Sequence, residues 1–336
     1  MKKRILSGLI ISALTMALLA GCGGSGSAAK TETSSGGDSK YKMAYVLSTR
    51  DEYLGQLEEC VQKAAADNNV EIESLYAGED SSKLIDCVSA AKTQGMDAVL
   101  INLNAAEDAQ ACIEAAGDMK VVFINRVPVD FSVLGDSAAA VASDENTSGV
   151  DQGEFLADYF KKAGKTEVSY VLLRGTEGLV HTDKRTDGAL QTLAAAGITA
   201  KEVATIHANY NRVTARDAFA PMLPDLKFDC IISNNDAMAL GAIAAMKENG
   251  YDFANIPIVG IDATPDGQEA LKNGEMAMSV YQSPQGQATG SVIAAINMLE
   301  GKDLAEGTGC DVSSECPYVL YYPFIPVTAD TLDKIK

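Results

Sequence analysis

The stretch Phe228–Pro265, FDCIISNNDAMALGAIAAMKENGYDFANIPIVGIDATP, constrains the fold more than any other. Apolar residues run from Phe228 to Ile232, recur at helical spacing from Ala237 to Lys247 before Asn249 and Gly250, and run again from Ile256 to Ile261. That is a strand–helix–strand unit. Asn234, Asn235 and Asp236 follow the first strand and Asp262 follows the second. In open parallel sheets, ligands bind outside the carboxyl ends of the strands, whereas Asn and Asp are also good N-caps for the helices that follow. Both roles are open to Asp236. Asn235 and Asp262, on adjacent strand ends, read as a ligand-facing pair.

The same alternation fills the chain. Strands at Lys42–Leu47, Val70–Leu75, Ala98–Ile101 and Val121–Ile124 alternate with helices at Gln56–Asp67, Leu84–Thr93 and Glu107–Ala116. A weak strand at Ala138–Ala142 and a long helix at Asp144–Lys162 come next. The series then restarts: strand Val168–Leu173, helix Thr182–Ala196, strand Lys201–Ile206 and helix Val213–Met222 lead into the opening unit. A strand at Met276–Val280, a helix at Gln285–Leu299 and an extended aromatic segment at Tyr318–Val327 complete it. Two βα series over residues 41–336 predict an α/β protein of two similar, Rossmann-like lobes, each with a parallel sheet covered on both faces.

Lys2, Lys3 and Arg4 precede the uncharged run Ile5–Leu19, the pattern of a secretory signal. About 15 apolar residues fall short of the ~20 needed to span a bilayer. The run ends in Leu19-Ala20-Gly21-Cys22, which resembles a bacterial lipobox and implies cleavage before Cys22 and acylation of it. Residues 1–21 are then a lipoprotein signal and residues 22–40, rich in Gly and Ser, a flexible tether. Gly21, Gly23 and Gly26 match G-x-G-x-x-G, but no strand precedes them and no helix follows.

The formal charge of −19 becomes more negative by three when the leader is removed. Such a polyanion excludes nucleic acid as a partner and leaves the lipid at Cys22 as the only expected membrane contact. A monomer outside the cytoplasm is expected. Cys60, Cys87, Cys112 and Cys230 lie singly in apolar runs and read as core thiols. Cys310 and Cys316, in GTGCDVSSEC, have a spacing that fits either a small disulfide-closed hairpin or two free thiols. No Cys/His set has metal spacing, and no cofactor is expected.

Polar residues cluster at the strand ends. Arg50-Asp51-Glu52-Tyr53 follows the first strand, Asn125-Arg126 the fourth, and the loop Arg174–Arg185, with His181, the strand at 168–173; Tyr210, Asn235, Asp262 and Gln282 complete the set. If the two sheets face each other, these ends converge on one cleft. Planar Asn, Asp and Arg groups match vicinal hydroxyls, and Tyr53 and Tyr210 suit the C–H faces of a sugar ring. Buried, Asp262 and Arg185 need one another or the ligand. An enzyme would need an acid/base or nucleophile set, yet His181 and His207 are the only histidines and no Gly-x-Ser-x-Gly elbow exists. The carboxylates Asp51 and Asp262 serve better as hydrogen-bond acceptors.

The segments Ala98-Val99-Leu100-Ile101-Asn102-Leu103, Val121-Val122-Phe123-Ile124-Asn125-Arg126, Val171-Leu172-Leu173-Arg174-Gly175, Ser233-Asn234-Asn235-Asp236-Ala237-Met238-Ala239 and Val259-Gly260-Ile261-Asp262-Ala263 carry a family resemblance. The chain resembles the periplasmic sugar-binding proteins of ABC transport systems, most nearly the galactose/glucose-binding type of the pentose/hexose group. The resemblance implies a type I periplasmic-binding-protein fold with a three-segment hinge near Ser143, Gln282 and Tyr322. One lobe would hold residues 41–143 and 283–321, the other 144–282 and 322–336. It implies that Asp51, Asn125 and Arg126 bond sugar hydroxyls from the first lobe, and that Arg185, Asn235, Asp262 and Gln282 do so from the second. Tyr53 and Tyr210 would cover the ring faces. Where the family has a histidine and an aspartate, this chain has Leu179 and His181, a departure from the glucose/galactose pattern that keeps a small cyclic sugar or polyol. Ala163–Glu167 is too short for the family's calcium loop. The implied partners are a monosaccharide and the permease of an ABC transporter, or alternatively a membrane chemosensor or sensor kinase.

Overall fold

The computed structural model describes residues 39–252 and 254–335. The leader, Cys22 and all of the tether except Ser39 and Lys40 lie outside them. In chain order, β1 (Tyr41–Leu47), α1 (Glu52–Asp67), β2 (Val70–Tyr76), α2 (Ser81–Thr93), β3 (Ala98–Ile101), α3 (Ala109–Ala116), β4 (Lys120–Ile124) and β5 (Ala138–Ala142) form the first series. The second comprises α4 (Glu145–Lys162), β6 (Glu167–Arg174), α5 (Val180–Ala195), β7 (Thr199–His207), α6 (Arg212–Phe219), β8 (Cys230–Ser233), α7 (Asp236–Glu248), β9 (Ile258–Asp262), α8 (Pro265–Lys272) and β10 (Met278–Tyr281). The chain ends with α9 (Pro284–Glu300), β11 (Asp311–Val312), β12 (Val319–Tyr321) and β13 (Ile325–Val327).

The strands make two sheets, in orders β11-β12-β5-β4-β3-β1-β2 and β13-β10-β9-β8-β6-β7. All neighbours are parallel except β11 on β12 and β13 on β10. The chain passes between sheets after β5, after β10 and between β12 and β13. Within each sheet the order reverses at one point, beside β1 in the first and β6 in the second. Those reversals open crevices at the carboxyl ends of the strands.

Side-chain alternation builds a core on each face of each sheet. Met43, Tyr45 and Leu47 of β1 pack with α1 and α9, whereas Ala44 and Val46 point to the opposite face with α2 and α3. In β6, Tyr170 and Leu172 meet α4 and α5, and Val171 and Leu173 face the layer of α6 and α7. Most helices start on an Asx or hydroxyl cap: Asp51, Asp80, Asp144, Asn211, Asn235, Thr264 and Ser283 each accept a backbone N–H of the first turn.

Two sequence expectations need correction, and one left open is decided. Helix α1 begins at Glu52 rather than Gln56, because Asp51 Oδ1 accepts the Leu54 N–H at 2.8 Å. Helix α6 stops at Phe219, short of the expected Met222, and tightens into a 3-10 segment at Ala220–Asp225, where Pro221 and Pro224 lack the N–H that an α-helix uses. Of the two states open to Cys310 and Cys316, they take that of free thiols among the described residues, as do Cys60, Cys87, Cys112 and Cys230. Cys310 packs on the α1/α9 side of the first sheet and Cys316 on the α2/α3 side, so the sheet separates them.

Helices α4 and α5 approach closely through glycine. A Cβ on Gly149 would lie 2.3 Å from the Arg185 carbonyl oxygen, and one on Gly153 would lie 2.5 Å from Thr192 Cβ. Overpacking of this kind costs about 1–3 kcal/mol. Gly149→Ala is therefore expected to lower the unfolding free energy by that amount, read as a lower urea midpoint with an unchanged m-value, while Gly164→Ala, with open space at Cβ but a φ of +69°, should cost only the backbone strain of about 1 kcal/mol.

Candidate ligand site between the lobes

The first sheet presents a wired set of polar groups. Asn102, buried at the end of β3, donates from Nδ2 to Ile124 O at 3.3 Å and to Asn125 Oδ1 at 3.1 Å, and accepts from Ser48 Oγ. Arg126 donates from one nitrogen to Ser48 Oγ at 3.0 Å and to Leu103 O at 2.8 Å, which leaves the rest of its fork free to face the cleft. Asp51 spends one oxygen capping α1 and keeps the other for the cleft. Asn125 holds a φ of +69°, a left-handed conformation that turns its side chain off the strand end.

The second sheet answers with a denser network. Arg185, buried in α5, forms a two-pronged pair with Glu145 at the start of α4: Nε to Oε2 at 2.9 Å and the terminal nitrogen to Oε1 at 2.6 Å. Its remaining nitrogen donates to Asn234 O at 2.9 Å. Asn234 in turn accepts the Gly175 N–H at 3.0 Å. Tyr210, with a φ of +61°, bonds Thr182 Oγ1 at 2.6 Å and stacks against His181 with ring centroids 5.3 Å apart. Gly175 makes room for that ring, since a Cβ there would lie 2.1 Å from Tyr210 Cζ.

Asn235 and Asp236 divide the two roles left open by the sequence. Asn235 caps α7 through Oδ1, donated to by Met238 N at 3.0 Å, and its amide still faces the cleft. Asp236 does not cap. It is fully buried and accepts from Thr264 N at 2.9 Å and Ser279 Oγ at 2.7 Å, and Ser279 Oγ accepts from Ala263 N at 3.0 Å. Asp236 thus fixes the turn in which Asp262 and Ala263 sit at φ +107° and +46°.

All ten residues singled out from the sequence line one cavity: Asp51, Tyr53, Asn125 and Arg126 from one side, His181, Arg185, Tyr210, Asn235 and Asp262 from the other, and Gln282 where the chain passes between sheets. Glu145 and Leu54 complete the wall. Its volume, about 30 Å³, holds roughly two waters. The Tyr53 hydroxyl and Gln282 Nε2 are buried without a hydrogen-bond partner among the described residues. No cluster of three metal-ligating side chains occurs among the described residues. Of the partners open to Arg185 and Asp262, each other or the ligand, the first is not used: Glu145 takes the guanidinium, and Arg185 reaches Asp262 only through its field. Glu145 was not legible, because at the first turn of α4 an acid reads as a macrodipole partner.

A family model described as the periplasmic binding protein domain matches residues 43–303. The chain belongs to the periplasmic binding protein family. A putative rhizopine-binding protein of Rhizobium meliloti is 33% identical over 211 residues, 62% of this chain and 67% of that one. The D-galactose/methyl-galactoside binding periplasmic protein of Haemophilus influenzae is 30% identical over 261 residues, 74% and 76% of the two chains. Among solved structures, an ABC transporter solute binding protein from Bacillus halodurans with bound myo-inositol superposes with a TM-score of 0.77 at 24% identity, over 90% of this chain and 99% of that one. The family is one of solute-binding proteins rather than enzymes. Among the described residues no helix is long and apolar enough to cross a membrane.

For a periplasmic binding protein, the electrostatics of this cleft matter as much as its shape. Burial raises the Asp262 carboxyl well above the usual range, and Arg185 opposes that rise. Burial likewise raises Asp51, against the Leu54 N–H and Arg126. Burial lowers His181 well below its ordinary value, reinforced by Arg185 and Arg126, so the imidazole is neutral. Burial works against charge on Arg185, yet Glu145 carries its pKa above the ordinary value.

Two outcomes follow. Removing one partner of a buried pair strands the other charge at a cost of about 3–5 kcal/mol; Glu145→Gln should lower the denaturation midpoint accordingly, with a smaller loss for Glu145→Gln/Arg185→Met. Asp236, raised to about 7 by burial against its bonds to Ser279 and Thr264, holds its proton in the folded state over a range where the unfolded chain has lost it. Stability is therefore lost as pH rises from the ordinary carboxylate range of about 4 to about 7. Melting of the unliganded protein at about pH 5 should exceed that at about pH 7.5, and Asp236→Asn should narrow the gap.

Proposed function

We propose that this protein captures a small cyclic polyol, a monosaccharide such as galactose or glucose or a related ring, between its two lobes and delivers it to an ABC permease. The observation that carries the reading is the convergence of acceptors, donors and aromatic rings from both sheets on one buried cavity. Asp51, Asn125 and Arg126 are the hydroxyl-binding groups of one lobe; Arg185, Asn235, Asp262 and Gln282 those of the other; Tyr53, Tyr210 and His181 line the ring. The unpartnered Tyr53 hydroxyl and Gln282 amide are the polar atoms a polyol would satisfy. The galactoside-binding relative supports a sugar-like ligand. The aliphatic Leu179 and neutral His181 favour a ring whose hydroxyl pattern differs from that of glucose.

A ring that bridges both jaws binds the closed form better than the open one and shifts the population toward it. Tyr53, Arg185, Tyr210, Asn235, Asp262 and Gln282 are buried and the cavity of about 30 Å³ is too small for a ring, so the lobes must part to admit one. Arg212 of α6 pairs across the cleft with Glu52 of α1 at 2.7 Å, an exposed contact that holds closure only weakly. On this reading the leader and Cys22 hold the protein outside the cytoplasm as a lipid-anchored monomer, with the Gly/Ser-rich tether between membrane and lobes.

Saturating ligand should stabilise the protein by about 4 kcal/mol at a thousandfold excess over Kd. A thermal-shift panel of hexoses, pentoses, inositols and amino acids measures this. A shift with a ring polyol is expected, and a shift confined to amino acids would sink the reading. Asp262→Ala should abolish that shift while leaving the unliganded fold intact; retained affinity would reduce the carboxylate to a structural role.

A further inference from the structure

Beside the ring cavity lies a second and much larger space of about 420 Å³, within the range of small-molecule pockets. The two share Asn125, Arg126, Glu145 and His181 as a common wall. Beyond that wall the lining changes character. Leu103, Val127, Pro128, Phe131, Leu179 and Tyr321 make it mostly apolar. Asn104 also lines it, with both amide atoms buried and unpartnered among the described residues. Unpaired buried amides cost free energy unless a partner arrives. The charged groups at its edge are mainly acidic, Asp130, Asp144 and Glu315, against one lysine, Lys184.

An inositol has a hydroxyl on every ring carbon and a bare monosaccharide has one on most of them, so neither has an apolar group that would fill a wall of this size. From these features we infer that the ligand is an O-substituted cyclic polyol, an ether or glycoside, whose ring sits between the jaws and whose compact uncharged substituent enters the side cavity. The inference rests on the ring-binding reading above. A hydroxyl or ether oxygen on the substituent would satisfy the Asn104 amide, and the acidic edge disfavours phosphate or carboxylate at that position.

Titration calorimetry of the purified protein tests it with matched probes: galactose against its methyl, ethyl and phenyl glycosides, and myo-inositol against its O-methyl ethers. At least one substituted probe should bind more tightly than its parent, by about fourfold per buried methyl-sized group, and galactose phosphate should bind more weakly. Val127→Phe, at the partly buried wall, and Val129→Trp, at the exposed lip, should each erase part of that gain while leaving the parent's Kd within about twofold. Parents that bind as tightly as every substituted probe would overturn the inference and leave ring capture standing. A gain untouched by both variants would overturn it too, by placing the substituent elsewhere. Binding by no ring compound at all would remove the underlying reading and this inference with it.

Discussion

The pair between Arg185 and Glu145 is the interaction on which the cleft depends. It fixes α5 against α4, orients the guanidinium toward Asn234, and neutralises a cation that would otherwise be stranded in a nearly dry interior. Its geometry is possible because Gly149 and Gly153 let the two helices approach backbone to backbone. With Glu145 occupying the fork, the Asp262 carboxyl group has no side-chain hydrogen bond among the described residues and faces the cavity.

Around that pair, conformational strain is gathered where the chemistry is. Asn125, Tyr210, Asp262 and Ala263 all hold positive φ at the carboxyl ends of strands. Such residues cost of order 1–3 kcal/mol each and persist only when their surroundings over-determine them. Here the surroundings are visible: Asn102 beneath Asn125, Gly175 and Thr182 around Tyr210, Asp236 and Ser279 beneath Asp262 and Ala263. The supporting groups are buried, polar except for Gly175, and hold a position without lining the cleft.

The alternation of strands and helices was legible because periodicity is local: burial on both faces of a sheet writes itself as runs such as Ala98–Ile101 and Val121–Ile124. The members of the cleft were legible for a topological reason, since parallel strands put their polar terminations on one side. Helix α8 escaped notice although Thr264 and Pro265 form a cap and first-turn signal, because eight residues give little periodicity. Strand β11 is two residues long and exists only through pairing with β12. Glu145 and Asn104 escaped because nothing local separates a cleft residue from an ordinary helix-start acid or loop amide.

The sequence by itself determined the two βα series, the order of their polar ends and hence which side chains share a cleft, because these follow from residue spacing and the handedness of parallel crossovers. Only the tertiary structure decided which charges pair within it, that Asp236 supports Asp262 rather than capping α7, that Cys310 and Cys316 lie on opposite sides of a sheet, and that an apolar chamber adjoins the ring cavity. Pairing and volume arise between segments remote in sequence, and no local pattern encodes a distance between them.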